Sequence, residues 1–156
     1  MPLDQATVEK NTGERERLRE LVTRLSDDDL RRQVNEYWTV AGVLGHIAFW
    51  DSRALVLAGK RERGEPFLPS DEEPEDVDWL NDATRPLIHA IAPRDAAQLA
   101  LQMAEEVDRR VANLSPEGLW PDDPNSPLIP LRARHRAEHL DDIEAALARP
   151  VLRDLL

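Results

Sequence analysis

Apolar residues recur at helical spacing along almost the whole chain, and no segment shows the sustained two-residue alternation of a strand. The clearest run is Ala100, Met103, Ala104, Val107, Val111 and Leu114, a heptad-like stripe that gives one helix an apolar face. Leu18, Leu21, Val22 and Leu25 set another, framed by the charged "ERERLRE" and ending near Ser26, where "SDDDL" reads as a new N-cap with an acid-rich first turn. Thr39 caps a third stretch, whose apolar face is Val40, Val43, Leu44, Ile47, Ala54, Leu55 and Ala58, with Gly59 as its expected stop. A last helix is expected from near Pro130 to about Arg149, before Pro150.

Between these elements, "GKRERGEPFLPSDEEPED" and "SPEGLWPDDPNSP" read as long exposed connections, and "VDWLNDATRPLIHAIAP" as a short broken helical segment. The expected fold is all-α: a four-helix bundle in one domain over residues 1–156, long enough to bury a single core. No run approaches the roughly 20 apolar residues of a membrane span, and the opening "MPLDQATVEKNTGERERLRE" lacks the apolar centre of a signal peptide, so a cytoplasmic protein without membrane contact is expected.

Charge and cysteine content narrow the chemistry. Lys and Arg number 20 against 31 Asp and Glu, a formal net charge of -11, and the arginines alternate with acids rather than forming a patch. Such a surface repels a phosphate backbone, so nucleic acid is not an expected partner. With no cysteine, disulfides, thiolate metal sites and a protein thiol nucleophile are excluded. Any metal must rest on His, Asp or Glu, and any sulfur nucleophile must come from a separate thiol.

The chain has four histidines, and two stand one turn apart in "RARHRAEHLDDIEAAL". With His139 at the origin of a helical wheel, His135 falls about 40° away, inside the arc of Leu128, Ile143, Ala146 and Leu147, while Arg134, Glu138 and Asp141 point outward. A lone pair at this spacing has a plain reading as solvated or hydrogen-bonded imidazoles. His46, in "VLGHIAFW" beside the Val40, Leu44, Ile47 stripe, is a third inward candidate. Three neutral imidazoles can hold a divalent ion and leave it open positions, an arrangement typical of catalytic sites. His89 is left outside the set. Asp142, three residues past His139, is placed to orient an imidazole or meet bound water; Arg132 is placed to meet an anionic substrate group; Trp50 reads as core.

Trp38, Thr39, "VAGVLGHIAFW" and, near the C-terminus, "HRAEHLDDI" together resemble the DinB-like superfamily, the DinB/YfiT group of metal-dependent enzymes, over about residues 15 to 148. The resemblance implies an up-up-down-down bundle with a long crossover after the second helix, nickel, zinc or a similar ion on His46, His135 and His139, and a homodimer. It also implies a small-molecule substrate, since relatives include hydrolases and transferases or isomerases that use mycothiol, bacillithiol or glutathione. "HRAEH" matches the inverted zinc-protease motif as well, but that chemistry needs an acidic ligand on a downstream helix, and Glu144 lies on the same one. The competing class is a non-catalytic dimerising bundle or stress-associated binding protein.

Overall fold

In a computed structural model, residues 3–115 and 126–151 are described. Among them the chain forms six α-helices and no strand: α1 (Gln5–Arg24), α2 (Asp27–Arg31), α3 (Val40–Glu62), α4 (Asp78–His89), α5 (Pro93–Ala112) and α6 (Ala133–Ala148). The second turn-rich connection, residues 115–127, falls largely outside the described residues.

Side-chain caps set three of the six starts. Asp4 accepts from the Thr7 amide at 3.0 Å, Thr39 accepts from the Gly42 amide at 3.0 Å, and Ser26 with Asp29 closes a reciprocal capping box. Pro93 opens α5, where its missing N–H costs no helical bond. Arginines finish two helices by donating to orphan carbonyls. Arg32 reaches the carbonyls of Ala146, Leu147 and Arg149 at the end of α6, and Arg94 reaches those of Val22 and Leu25 at the end of α1.

Three sequence expectations are corrected. Gly59 does not stop α3, which runs to Glu62; the helix keeps its bonds through a buried glycine where Arg110 Nη1 would stand 3.2 Å from a Cβ, and Gly64, at φ +70°, takes the left-handed turn instead. The segment around Pro86 is not broken, because α4 continues through the proline with only the bond from its absent N–H missing. The last helix starts at Ala133 rather than Pro130.

The four long helices touch in sequence around a common interior: α3 against α5, α5 against α1, α1 against α6, and α6 against α3, with α4 laid on the outside of α3. The core is in two parts. One, including Leu18, Leu44, Ile47, Ala100, Leu140 and Ile143, fills the end nearer α2; the other gathers Leu3, Leu57, Val107, Val111, Leu114 and Leu128 at the opposite end. α3 is long and apolar enough to cross a membrane, but 72% of its most apolar window is buried within the fold, as for a core helix.

Between the two clusters lies a layer of buried charge. Arg136 of α6, 0% exposed, donates from Nε to Asp51 of α3 at 2.9 Å and from both terminal nitrogens to Asp108 of α5 at 2.8 Å. Arg132 donates to the other oxygen of Asp51 at 2.9 Å, and Arg15 of α1 to Asp108 at 2.8 Å. Asn11 of α1 closes the layer, donating to the Pro130 carbonyl at 2.8 Å and accepting from the Ala133 amide at 2.9 Å. All four long helices are thereby locked by directional bonds.

Candidate metal centre

The capped start of α3 aims His46 inward, and it is 7% exposed. α6 brings His135 and His139 to meet it from one face, as their four-residue spacing requires. Ring centroids lie 4.7 Å apart for His46 and His139, 5.3 Å for His46 and His135, and 4.5 Å for His135 and His139. One nitrogen from each ring falls within 4.8 Å of the others.

Burial sets the charge of this cluster. Removed from water, His46 is pushed down to about 4 and His135 to about 2, with the nearby His139 adding repulsion in both cases and Arg132 and Arg136 adding it at His135. Burial also holds His139 below its ordinary value, against the opposing pull of Glu138 and Asp142. The rings are therefore neutral at physiological pH, each with a free lone pair, the state a metal ligand needs. The 3.1 Å between Nε2 of His135 and Nε2 of His139 matches two neighbouring ligands on one ion, for nitrogens held about 2.0–2.1 Å from it. This donor set suits zinc, nickel, copper or iron and is poor for magnesium or calcium, which prefer oxygen.

The surroundings are aromatic. The turn at residues 33–39, in which Asn35 Oδ1 accepts from the Tyr37 and Trp38 amides, sets the Trp38 ring 5.5 Å from His46; Trp50, one turn beyond His46, lies 6.4 Å away and donates its indole N–H to Asn81. Nδ1 of His46 and Nδ1 of His135 meet no protein hydrogen-bond partner. Asp142 lies 3.7 Å from His139 Nδ1, beyond hydrogen-bond distance, and is largely exposed.

The three expected ligands therefore come together. Arg132 does not face open space as a free anion receptor: it is buried and its Nε is taken by Asp51. Glu138 is exposed, and Glu144 is occupied by Arg17 and Arg24, so no acidic ligand for the protease-type reading reaches the histidines from either. The sequence reading missed Asp51 and Arg136. Both had a signal, since Asp51 continues the Leu44, Ile47 stripe by one turn and Arg136 falls between Ile143 and Leu147 on the wheel. It also left out His89, which the fold sets against the N-terminal turn of α3 beside Trp38, their rings 5.3 Å apart.

No match was found among curated proteins or among solved structures. The family model of the DinB superfamily matches residues 11–149, a span that takes in α3, α6 and all three histidines. The chain belongs to the DinB superfamily.

Proposed function

We propose that this protein binds a divalent ion, zinc or nickel, on His46, His135 and His139 and acts on a small molecule, either as a hydrolase or as a transferase served by an external low-molecular-weight thiol. The observation that carries the reading is the convergence of three desolvated, neutral imidazoles from two helices. An ion held there would supply Lewis acidity and lower the proton affinity of a water or thiol.

The chain's own residues have definable parts. His46, His135 and His139 offer the lone pairs. The Asp51 contacts to Arg132 and Arg136 hold α6 in register against α3 and so fix the rings' approach. Trp38 and Trp50 exclude water from two sides. Asp142, 3.7 Å from His139 Nδ1, acts through its charge, which favours the proton on that nitrogen and leaves Nε2 for the ion. A nucleophilic sulfur has to arrive with the second substrate, because the chain has no cysteine.

The same reading takes the four long helices as an up-up-down-down bundle, with the α3-to-α5 stretch as its crossover, in a single domain acting as a cytoplasmic homodimer. Their mutual contacts support the bundle, and sedimentation equilibrium tests the dimer.

Elemental analysis of tag-free protein by plasma mass spectrometry, with melting curves before and after chelation, tests the centre. Near one equivalent of metal is expected, with loss of that metal but retention of helical circular dichroism in the double variant His135→Ala, His139→Ala. Unchanged metal content in the variant would sink the assignment. One observation favours the alternative of a non-catalytic binding bundle. The Nδ1 atoms of His46 and His135 lack the protein acceptors that orient ligands in tight sites, which suits weak binding. A metal-free protein that gains no stability from added zinc or nickel would decide for it.

A further inference from the structure

The C-terminal half of α4 lies on α3 at two glycines. A Cβ on Gly42 would stand 2.4 Å from Nε2 of His89, and one on Gly45 would stand 2.6 Å from Cγ2 of Ile88. Side chains on a helix lean toward its N-terminus, so the His46 ring, four residues after Gly42, extends over the same strip of α3 that the His89 ring occupies. Trp38 stands between them, its ring edge-on to both, 5.5 Å from His46 and 5.3 Å from His89. One turn before His89, Arg85 holds its guanidinium 5.8 Å from the Trp38 ring and 5.0 Å from the Tyr37 ring.

This corner is polar and accessible without being satisfied. Among the described residues His89 makes no hydrogen bond to protein through either ring nitrogen and is exposed; the part of its ring laid against α3 loses water, and this, then the charge of Arg85, keeps it below its usual pKa. Arg85 makes one ion pair, from Nη1 to the exposed Asp82 at 2.8 Å, a contact that competes weakly with a bound anion. A guanidinium fork over an aromatic wall, next to a neutral imidazole that can donate, is suited to a planar anionic group.

We propose that Arg85 and His89, along the Trp38 wall, form an outer subsite that receives the anionic end of the substrate, a carboxylate or similar group, while its other end meets the three-histidine centre. The proposal rests on the metal-centre reading and deepens it by naming a substrate class: small molecules with an anionic group about one indole width from the reacting end. Arg85 supplies the charge, His89 a hydrogen bond, and Gly42 the room for His89.

The test uses full-length protein substituted with cobalt and two probes that chelate metals through a hydroxamate, para-carboxybenzohydroxamate and its neutral para-carboxamide analogue, titrated by the cobalt visible spectrum. Native protein is expected to bind the carboxylate about tenfold more tightly than the amide. Arg85→Gln is expected to abolish that preference while leaving the amide's affinity, the cobalt spectrum and the melting curve unchanged, and His89→Gln to reduce the preference. Equal affinity of native protein for both probes, or a preference that survives Arg85→Gln, overturns the subsite and leaves the metal centre standing. A protein that takes up no cobalt fails before any probe is added, and that outcome overturns the centre together with the subsite.

Discussion

His46 and His135 tie stability to acid through protons they do not accept. In the unfolded chain each has an ordinary pKa near 6.5, whereas folding drives them down to about 4 and about 2. Between the two values the unfolded state binds the proton and the folded state does not, so metal-free protein loses stability as pH falls below about 6.5, at about 1.4 kcal/mol per pH unit for each histidine. The loss from His46 ends near pH 4, and that from His135 continues toward pH 2. Urea unfolding of metal-free protein at pH 7, 6 and 5 should therefore show a declining free energy, and His46→Gln, His135→Gln should flatten it. An equal decline in the double variant would assign the effect to other groups, foremost His139 and His89, which folding also holds below their ordinary values. A bound metal should raise stability across this range without flattening the decline, because the folded rings are already proton-free and the protons are taken up by the unfolded chain.

At the scale of elements, the α3–α4 contact separates two glycines with the same sequence character. Gly45→Ala drives a methyl into Ile88, which is buried, and should cost about 1–3 kcal/mol by overpacking, a cost the better helix propensity of alanine only partly offsets. Gly42→Ala meets chiefly the end of the exposed His89 side chain, which can swing toward solvent, and brushes Trp38 Cε3 at 3.0 Å, so the stability cost should be smaller than for Gly45→Ala while His89 leaves the strip. Thermal melts compare the two, and the His89 imidazole resonances in nuclear magnetic resonance report its displacement. Sequence made helices legible where their starts rest on local signals, such as the Thr39 cap of α3 and the Ser26 box of α2, and the apolar arc of α6 contained both His135 and His139. What it hid was tertiary. Nothing local reveals that Gly59 sits under Arg110, or that α4 keeps its helix through Pro86 while lying on a glycine face. The buried Asp51 and Arg136 were hidden for another reason: in a chain that is 33% charged, acids and bases read as solvent-facing unless their wheel positions are checked one by one.

For the molecule as a whole, the charged layer is the joint on which the four long helices meet. Arg136→Met would leave Asp51 and Asp108 buried with fewer partners, and breaking such an assembly from one side costs about 3–5 kcal/mol, to be read from urea midpoints. A loss below about 1 kcal/mol would mean that the layer is dispensable. Asn11 adds a consequence for how the protein is made. Its bonds to Pro130 and Ala133 join positions 119 and 122 residues apart in the chain, and His46 waits across a comparable distance for the histidines of α6. Such contacts form late, after the loop-closure entropy of most of the chain has been overcome. α1 to α5 are synthesised before residues 133–148, and until α6 is made the chain holds one histidine of the three and no receptor for an ion. An ion that needs all three rings can therefore be captured only after α6 has been made and has folded against α3.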